Sequence, residues 1–286
     1  MSLVVTGATG NLGRLVTEGL LTAQVPAEQI VAVVRSKEKG AVFAECGIEL
    51  RIADYAQPET LAGAFAAGDR VLLISGNDWG ARVAQHQAVT DAAKAAGVAL
   101  LAYTGVLGGP EADYRLADDH KVTEQAILAS GLPYTFLRHG WYNENPTLNL
   151  TPIIERGTVV GSAGDGRIAS ASRADFAAAA VAVLTGQGHE NKAYELNGDT
   201  AWSHAEYAAE LSRQTGKTIS YQNVPAEQHL AILTGAGVPE AKAEVLVDVG
   251  AAMSRGLFAR RSDDLTRLVG RPTTPLSATI EAALVG

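Results

Sequence analysis

Cysteine occurs once in 286 residues, methionine twice, and aromatic side chains make up 6% of the chain. A lone Cys46 excludes an intrachain disulfide. Its place between Phe43 and Ile48, near a predicted helix end, points to a buried structural thiol rather than a redox centre. Positive charge is in deficit: 23 Lys and Arg stand against 31 Asp and Glu, a formal net charge of −8. Such a balance provides no basic surface for a phosphate backbone and argues against direct nucleic-acid binding. No apolar run reaches the length that spans a bilayer. A first strand at about Leu3 leaves no room for a charged region, an apolar region and a cleavage site. A soluble cytoplasmic protein without membrane insertion is expected, and no metal site is assigned.

Glycine, by contrast, is abundant, and its first cluster organises the chain. Leu3-Val4-Val5-Thr6-Gly7-Ala8-Thr9-Gly10-Asn11-Leu12-Gly13 reads as an apolar strand, a glycine turn and the start of a helix carrying Leu15, Val16 and Leu20. Gly7 permits the tight turn, Gly10 lets backbone approach a phosphate, and Gly13 lets the helix close on the strand. The helix start offers unpaired N–H groups and a positive dipole end to a pyrophosphate. Glycine triplets also occur in ordinary turns, so the flanking strand and amphipathic helix carry the dinucleotide reading. The spacing is Gly-x-x-Gly-x-x-Gly, not Gly-x-Gly-x-x-Gly.

Near-continuous Val and Ile in Gln29–Arg35 mark a second strand buried on both faces. Arg35 ends it where an NAD site would place an acid, and an Arg there suits a 2′-phosphate; a solvated Arg is the alternative. Ile48–Ala53 reads as a third strand, with Asp54 either near an adenine or capping a helix that begins near Pro58. Arg70–Ser75 is a fourth strand, ending in the small polar run Ser75-Gly76-Asn77. A helix from about Val83 to Ala96 stops at Gly97, and Val98–Thr104 is a fifth strand. Strands alternating with helices predict an α/β doubly wound parallel sheet with ligands beyond the strand carboxyl ends, where Ser75, Thr104 and Gly105 lie. A helix at about Ala117–Ser130 leads to a strand at Tyr134–Arg138, and then the pattern changes. His139-Gly140-Trp141-Tyr142-Asn143-Glu144-Asn145 packs aromatic and polar side chains around one glycine: a pocket wall for a flat ring, or a core plug. Further on, Arg173 opens an apolar helix, Ala193–Leu196 adds a strand, and Ser203 with Glu206 forms a capping box.

These residues resemble the NmrA-like atypical short-chain dehydrogenases, and within them the bacterial type 2 NAD(P)H:quinone oxidoreductases. The matching runs are Thr6–Gly13, Ile30–Arg35, Ala53–Tyr55, Leu72–Ser75, Ala92–Gly97, Ala102–Thr104, Leu137–Asn145 and Gly164–Asp175. The resemblance implies an NADP(H)-bound Rossmann domain over residues 1–138, completed by 168–196. It implies a smaller, mostly helical substrate-side lobe from 139–167 and 197–286. Carried over, the cofactor contacts fall on Gly7, Thr9, Gly10, Asn11 and Leu12, on Arg35, on Ser75, Gly76, Asn77 and Thr104, on His139, Gly140, Trp141, Tyr142, Asn143 and Glu144, and on Arg173. Trp141, Tyr142 and Asn145 would face the substrate. The family often has proline at the place of His139. Ketone-reducing members use Tyr-x-x-x-Lys after the fifth strand, and here Leu116 and His120 stand at those positions. Tyr114 lies two residues away and is expected on another face. His120 and Tyr142 remain the candidates for a weak catalytic donor, with a surface role for His120 the alternative.

Two functions stay open: an enzyme that passes hydride from NADPH to a small-molecule quinone, and a non-catalytic NADP(H)-sensing regulator of the NmrA type. The missing Tyr and Lys favour the sensor, while the aromatic wall and the matching runs favour the enzyme. A homodimer is compatible with either.

Overall fold

The computed structural model describes residues 1–285. Its first half runs β1 (Leu3–Val5), α1 (Asn11–Thr22), β2 (Ile30–Val34), α2 (Lys37–Glu45), β3 (Glu49–Ile52), β4 (Arg70–Leu73), α3 (Arg82–Ala96), β5 (Leu100–Val106), α4 (Asp118–Ser130) and β6 (Tyr134–His139). There follow α5 (Glu144–Thr147), α6 (Thr151–Arg156), β7 (Thr158–Gly161), β8 (Arg167–Ile168), α7 (Arg173–Thr185), β9 (Lys192–Leu196), β10 (Trp202–Ser203) and α8 (His204–Thr215). The remainder is β11 (Ser220–Asn223), α9 (Ala226–Gly235), α10 (Glu240–Ser254), α11 (Asp264–Val269) and α12 (Leu276–Val285).

Seven strands form one sheet in the order β3-β2-β1-β4-β5-β6-β9, and every pairing in it is parallel. The apolar runs feed both faces by simple alternation. Val5, Ala32, Leu72, Ala102 and Leu137 pack with α1 and α7, whereas Val4, Val33, Leu73, Tyr103 and Phe136 pack with α3 and α4. The strand order reverses between β1 and β4, which opens the crevice for a ligand at their carboxyl ends. This is the doubly wound Rossmann architecture.

A second core gathers Trp202, Tyr207, Leu211, Met253 and Phe258 with Leu107, Ala112, Tyr114 and Ala117 from the segment before α4. Conversely, Leu265 of α11 joins the core beneath α1 and α7. The two cores therefore each draw residues from both sides of the expected 138/139 division.

Three local expectations are corrected. Cys46 is exposed: α2 ends at Glu45, and it is Phe43 and Ile48 that turn inward. Asp54 does not cap a helix; its Oδ1 accepts the Ala56 N–H at 3.0 Å in a local turn. Strand β5 extends to Val106, so Thr104 lies within it rather than at its end. Among the described residues, no helix is long and apolar enough to cross a membrane.

Candidate active site

Four loops leave the carboxyl edge of adjacent strands. In the first, Gly7 takes φ +59°, and the Gly10 N–H closes the turn on Gly7 O at 2.9 Å. A Cβ on Gly13 would stand 2.3 Å from Gly7 O and 2.8 Å from Ala8 Cα, so only glycine lets α1 start this close to the strand. Gly7, Thr9, Gly10 and Asn11 are exposed, while Leu12 is buried under them. Helix α1 has no side-chain cap and no acid in its first turn, whereas α7 and α8 each carry a full capping box. Its first N–H groups and dipole are thus left for an anion, which fits a dinucleotide phosphate. Arg35, just past β2, is exposed and without an ion-pair partner among the described residues. It is free to meet a 2′-phosphate.

In the second loop, Ser75 and Gly76 are half-buried and Asn77 exposed. The Ser75 N–H donates to Thr104 Oγ1 at 2.9 Å, so the buried threonine of β5 braces this loop. Behind it lies a buried polar layer that sequence reading missed. The Gly76 N–H donates to His86 Nε2 at 3.0 Å, and Arg82 Nε donates to Gly76 O at 2.8 Å. Arg82 Nη1 reaches His120 Nε2 at 3.4 Å, and His120 Nδ1 lies 2.7 Å from the Tyr103 hydroxyl. Since Arg only donates, the proton of His120 belongs on Nδ1. A signal existed: Arg82, His86 and Thr90 recur every four residues on the buried face of α3.

His120 is therefore a core residue, not a surface one, and is 6% exposed. Burial, with the Arg82 cation beside it, pushes its pKa down to about 3. It is neutral at pH 7 and holds no proton fit to give. Tyr114 turns away as expected, donating its hydroxyl to Leu107 O at 2.9 Å in the second core.

The fourth loop, after β6, carries the aromatic cluster. Its backbone is stitched to Ala171, with Asn143 N–H to Ala171 O at 2.9 Å and Ala171 N–H to Trp141 O at 3.1 Å. Asn143 is fully buried: Nδ2 donates to Thr274 O at 3.0 Å and to Thr279 Oγ1 at 3.1 Å, and Oδ1 accepts from Ser170. Its side chain is spent on the fold, and its backbone N–H on Ala171. Glu144 accepts the Arg173 N–H at 2.9 Å, and Asn145 Oδ1 receives Arg173 Nη2 at 3.3 Å. The Arg173 guanidinium lies 4.9 Å from the centre of the Tyr142 ring.

His139 stacks on Phe176 at 4.5 Å and has Nδ1 3.0 Å from the Tyr142 hydroxyl, with Nε2 buried and unpaired. Burial pushes His139 down to about 3 and Tyr142 up to about 12. Tyr142 is thus a poorer acid than a free tyrosine. Gly140 holds the loop against β9 through N–H to Leu196 O at 2.7 Å, and Trp141 is half-buried, edge-on to Phe258 at 6.0 Å.

An open glycine turn at a sheet reversal, a cation past the second strand with no ion-pair partner among the described residues, and a half-buried aromatic loop fit a nucleotide-dependent oxidoreductase scaffold. The chain belongs to the NAD(P)H-binding family, whose model matches residues 7–187. It is 44% identical over 278 residues, 97% of each chain, to quinone oxidoreductase 2 of Escherichia coli (strain K12). The crystal structure of the NADPH-dependent quinone oxidoreductase from Escherichia coli, complexed with NADPH, matches with a TM-score of 0.95 over 99% of both chains. The triphenylmethane reductase of Citrobacter sp., complexed with NADP(H), is 42% identical with a TM-score of 0.93, over 99% of this chain and 100% of that one.

Proposed function

We infer that this chain is an NADPH-dependent oxidoreductase that transfers hydride to a quinone. The observation that carries the reading is the open, uncapped glycine turn at the sheet reversal, beside which burial leaves both candidate acids, His120 in the core and Tyr142 against Arg173, poor proton donors. Bound NADPH would supply the hydride. Gly7, Thr9, Gly10, Asn11 and Leu12 would hold its pyrophosphate and Arg35 its 2′-phosphate. Ser75, Gly76, Asn77, Thr104 and the loop His139–Glu144 with Arg173 would wall its nicotinamide half. Residues 1–138 with 168–196 then form the nucleotide side, and 139–167 with 197–286 the acceptor side, where Trp141, Tyr142 and Asn145 meet the quinone.

The poor acids select the acceptor. Hydride addition to a ketone leaves an alkoxide nearly as basic as hydroxide, with the water pKa of about 15.7 marking the scale. A quinone leaves a phenolate-like oxygen whose conjugate acid resembles tyrosine, at about 10. A positioned general acid contributes about 10²–10⁴-fold, so its lack cripples ketone reduction and spares quinone reduction. What the chain must supply is orientation and exclusion of water. The near full-length similarity to a quinone oxidoreductase favours turnover over NADP(H) sensing.

The test is to mix the protein with NADPH and a panel of quinones, ketones and aldehydes and follow nicotinamide absorbance. Quinones should accelerate its loss and simple carbonyls should not. Tight NADPH binding with no acceptor turned over would replace the enzyme reading with the sensor.

A further inference from the structure

Helix α3 contributes two side chains to one glycine. His86 Nε2 accepts the Gly76 N–H at 3.0 Å, and Arg82 Nε donates to Gly76 O at 2.8 Å, which fixes the peptide plane on each side of Gly76. Both side chains are braced from behind. His86 Nε2 is an acceptor, so Nδ1 carries the proton and donates to Thr123 Oγ1 at 3.0 Å, and Thr123 passes its own to Asp119 O at 2.9 Å. Arg82 is 4% exposed and His86 0%, so neither can swing out to solvent. Among the described residues Arg82 meets one distant carboxylate, Asp119 at 3.8 Å, and it starts a helix whose dipole is unfavourable to a cation. A buried cation so weakly paired is costly to stability and calls for another duty.

Peptide planarity supplies that duty. In a trans peptide the C=O and N–H point opposite ways, and no peptide bond among the described residues is cis. With the Gly76 N–H turned into α3, the Ser75 C=O points away from it. With the Gly76 C=O turned to Arg82, the Asn77 N–H points away too. Neither Ser75 O nor Asn77 N–H has a hydrogen-bond partner among the described residues. The clamp thus displays an acceptor and a donor on the side away from α3, at the carboxyl end of β4.

We propose that Arg82 and His86 are positioning residues for hydride transfer, orienting the Ser75 C=O and Asn77 N–H as a paired edge for a cofactor group that both donates and accepts. This rests on the NADP(H) reading above and deepens it. Ribose hydroxyls and the nicotinamide carboxamide have that chemistry. The edge adds little to affinity, which the phosphate turn and Arg35 carry, and much to geometry.

The test compares His86→Leu, which removes the acceptor, with His86→Gln, whose amide oxygen can replace it. With folding checked by circular dichroism, His86→Leu should lower kcat for quinone reduction about 10- to 100-fold while the NADPH KM changes by less than about threefold, and His86→Gln should recover most of the loss. Parallel titrations should find bound-NADPH fluorescence altered in His86→Leu and restored in His86→Gln, a readout that needs no acceptor and so survives failure of the quinone reading. Repeating the kinetics with the reduced 3-acetylpyridine analogue, which lacks the amide donor, separates the two groups: a smaller His86→Leu effect assigns the carboxamide, an equal one the ribose. Should His86→Leu not fold, Arg82→Lys, which keeps the charge and loses the Nε donor, carries the same comparison. Unchanged kcat and fluorescence in the folded variant, or equal losses in His86→Leu and His86→Gln, would overturn the proposal.

Discussion

The turn from Gly7 to Leu12 and the loop from His139 to Asn145 leave the same edge of the sheet, but different bonds hold them. The first closes on itself through Gly10 N–H to Gly7 O at 2.9 Å, and its tie to the rest of the sheet is one longer bond, Ala8 N–H to Val33 O at 3.4 Å, with Ala8 and Leu12 tucked into the core. The second is anchored by Asn143 to Thr274 and Thr279, 131 and 136 residues away, and by Gly140 to Leu196. A turn closed mainly by its own short-range bond loses chiefly its own conformation when it is disturbed. A loop tied to distant segments is part of the core, and damage to it spreads.

The sharpest way to break that contrast is Gly13→Val. Its Cβ would lie 2.3 Å from Gly7 O, so the turn must open. Strain of about 3 kcal/mol, roughly 100-fold in affinity, is expected in an NADPH titration. Circular dichroism should still find the sheet; unaltered affinity would mean that the turn is not the phosphate site.

Asn143→Leu should do the reverse and lower stability first. It strands the Ser170 hydroxyl, itself a partner of Trp202 Nε1, and removes the two bonds that Nδ2 donates to Thr274 O and Thr279 Oγ1. A loss of about 2–3 kcal/mol is expected in urea unfolding, and a stability equal to the parent protein would show that the long-range bonds are dispensable.

Arg35→Ala probes an exposed contact outside both loops. NADPH affinity should fall by about 1.5–3 kcal/mol, roughly 10- to 100-fold, with NADH affinity and melting temperature little changed. If the variant still prefers NADPH as before, another group reads the 2′-phosphate.

The finest distinction comes from pH, because the aromatic loop springs from a buried histidine, His139 at the end of β6, and the glycine turn contains none. Burial depresses His139 to about 3, and the unfolded chain binds that proton near 6.5. Its contribution is full above about pH 6.5 and is lost as pH falls toward 3, at no more than about 1.4 kcal/mol per pH unit. His86 and His120, depressed to about 4 and 3, add in the same direction. His139→Asn should flatten the fall in unfolding free energy between pH 7 and 5, and an unchanged slope would locate the titration elsewhere.

How much was legible follows the same division. The glycine turn, the Val and Ile strands, the Ser203–Glu206 capping box and the left-handed Gly97 that ends α3 were readable because each rests on neighbours a few residues apart. Cys46 was misread because its apolar neighbours said nothing of which side of the helix end faces inward. Arg82 and His86 were visible only as a spacing, since two polar residues on a helix face acquire meaning when Gly76 is brought against them.

The sequence by itself determined the parallel sheet, the glycine turn and the cation past the second strand, because hydrophobic alternation and backbone freedom are local properties. Only the tertiary structure decided which polar groups are buried and with whom. It made His120, read as either a weak donor or a surface residue, a neutral core residue, spent the Asn143 side chain on Thr274 and Thr279, and raised Tyr142 above the range of a useful acid. Protonation and pairing depend on desolvation and on partners from distant segments, and neither is set until the chain has folded.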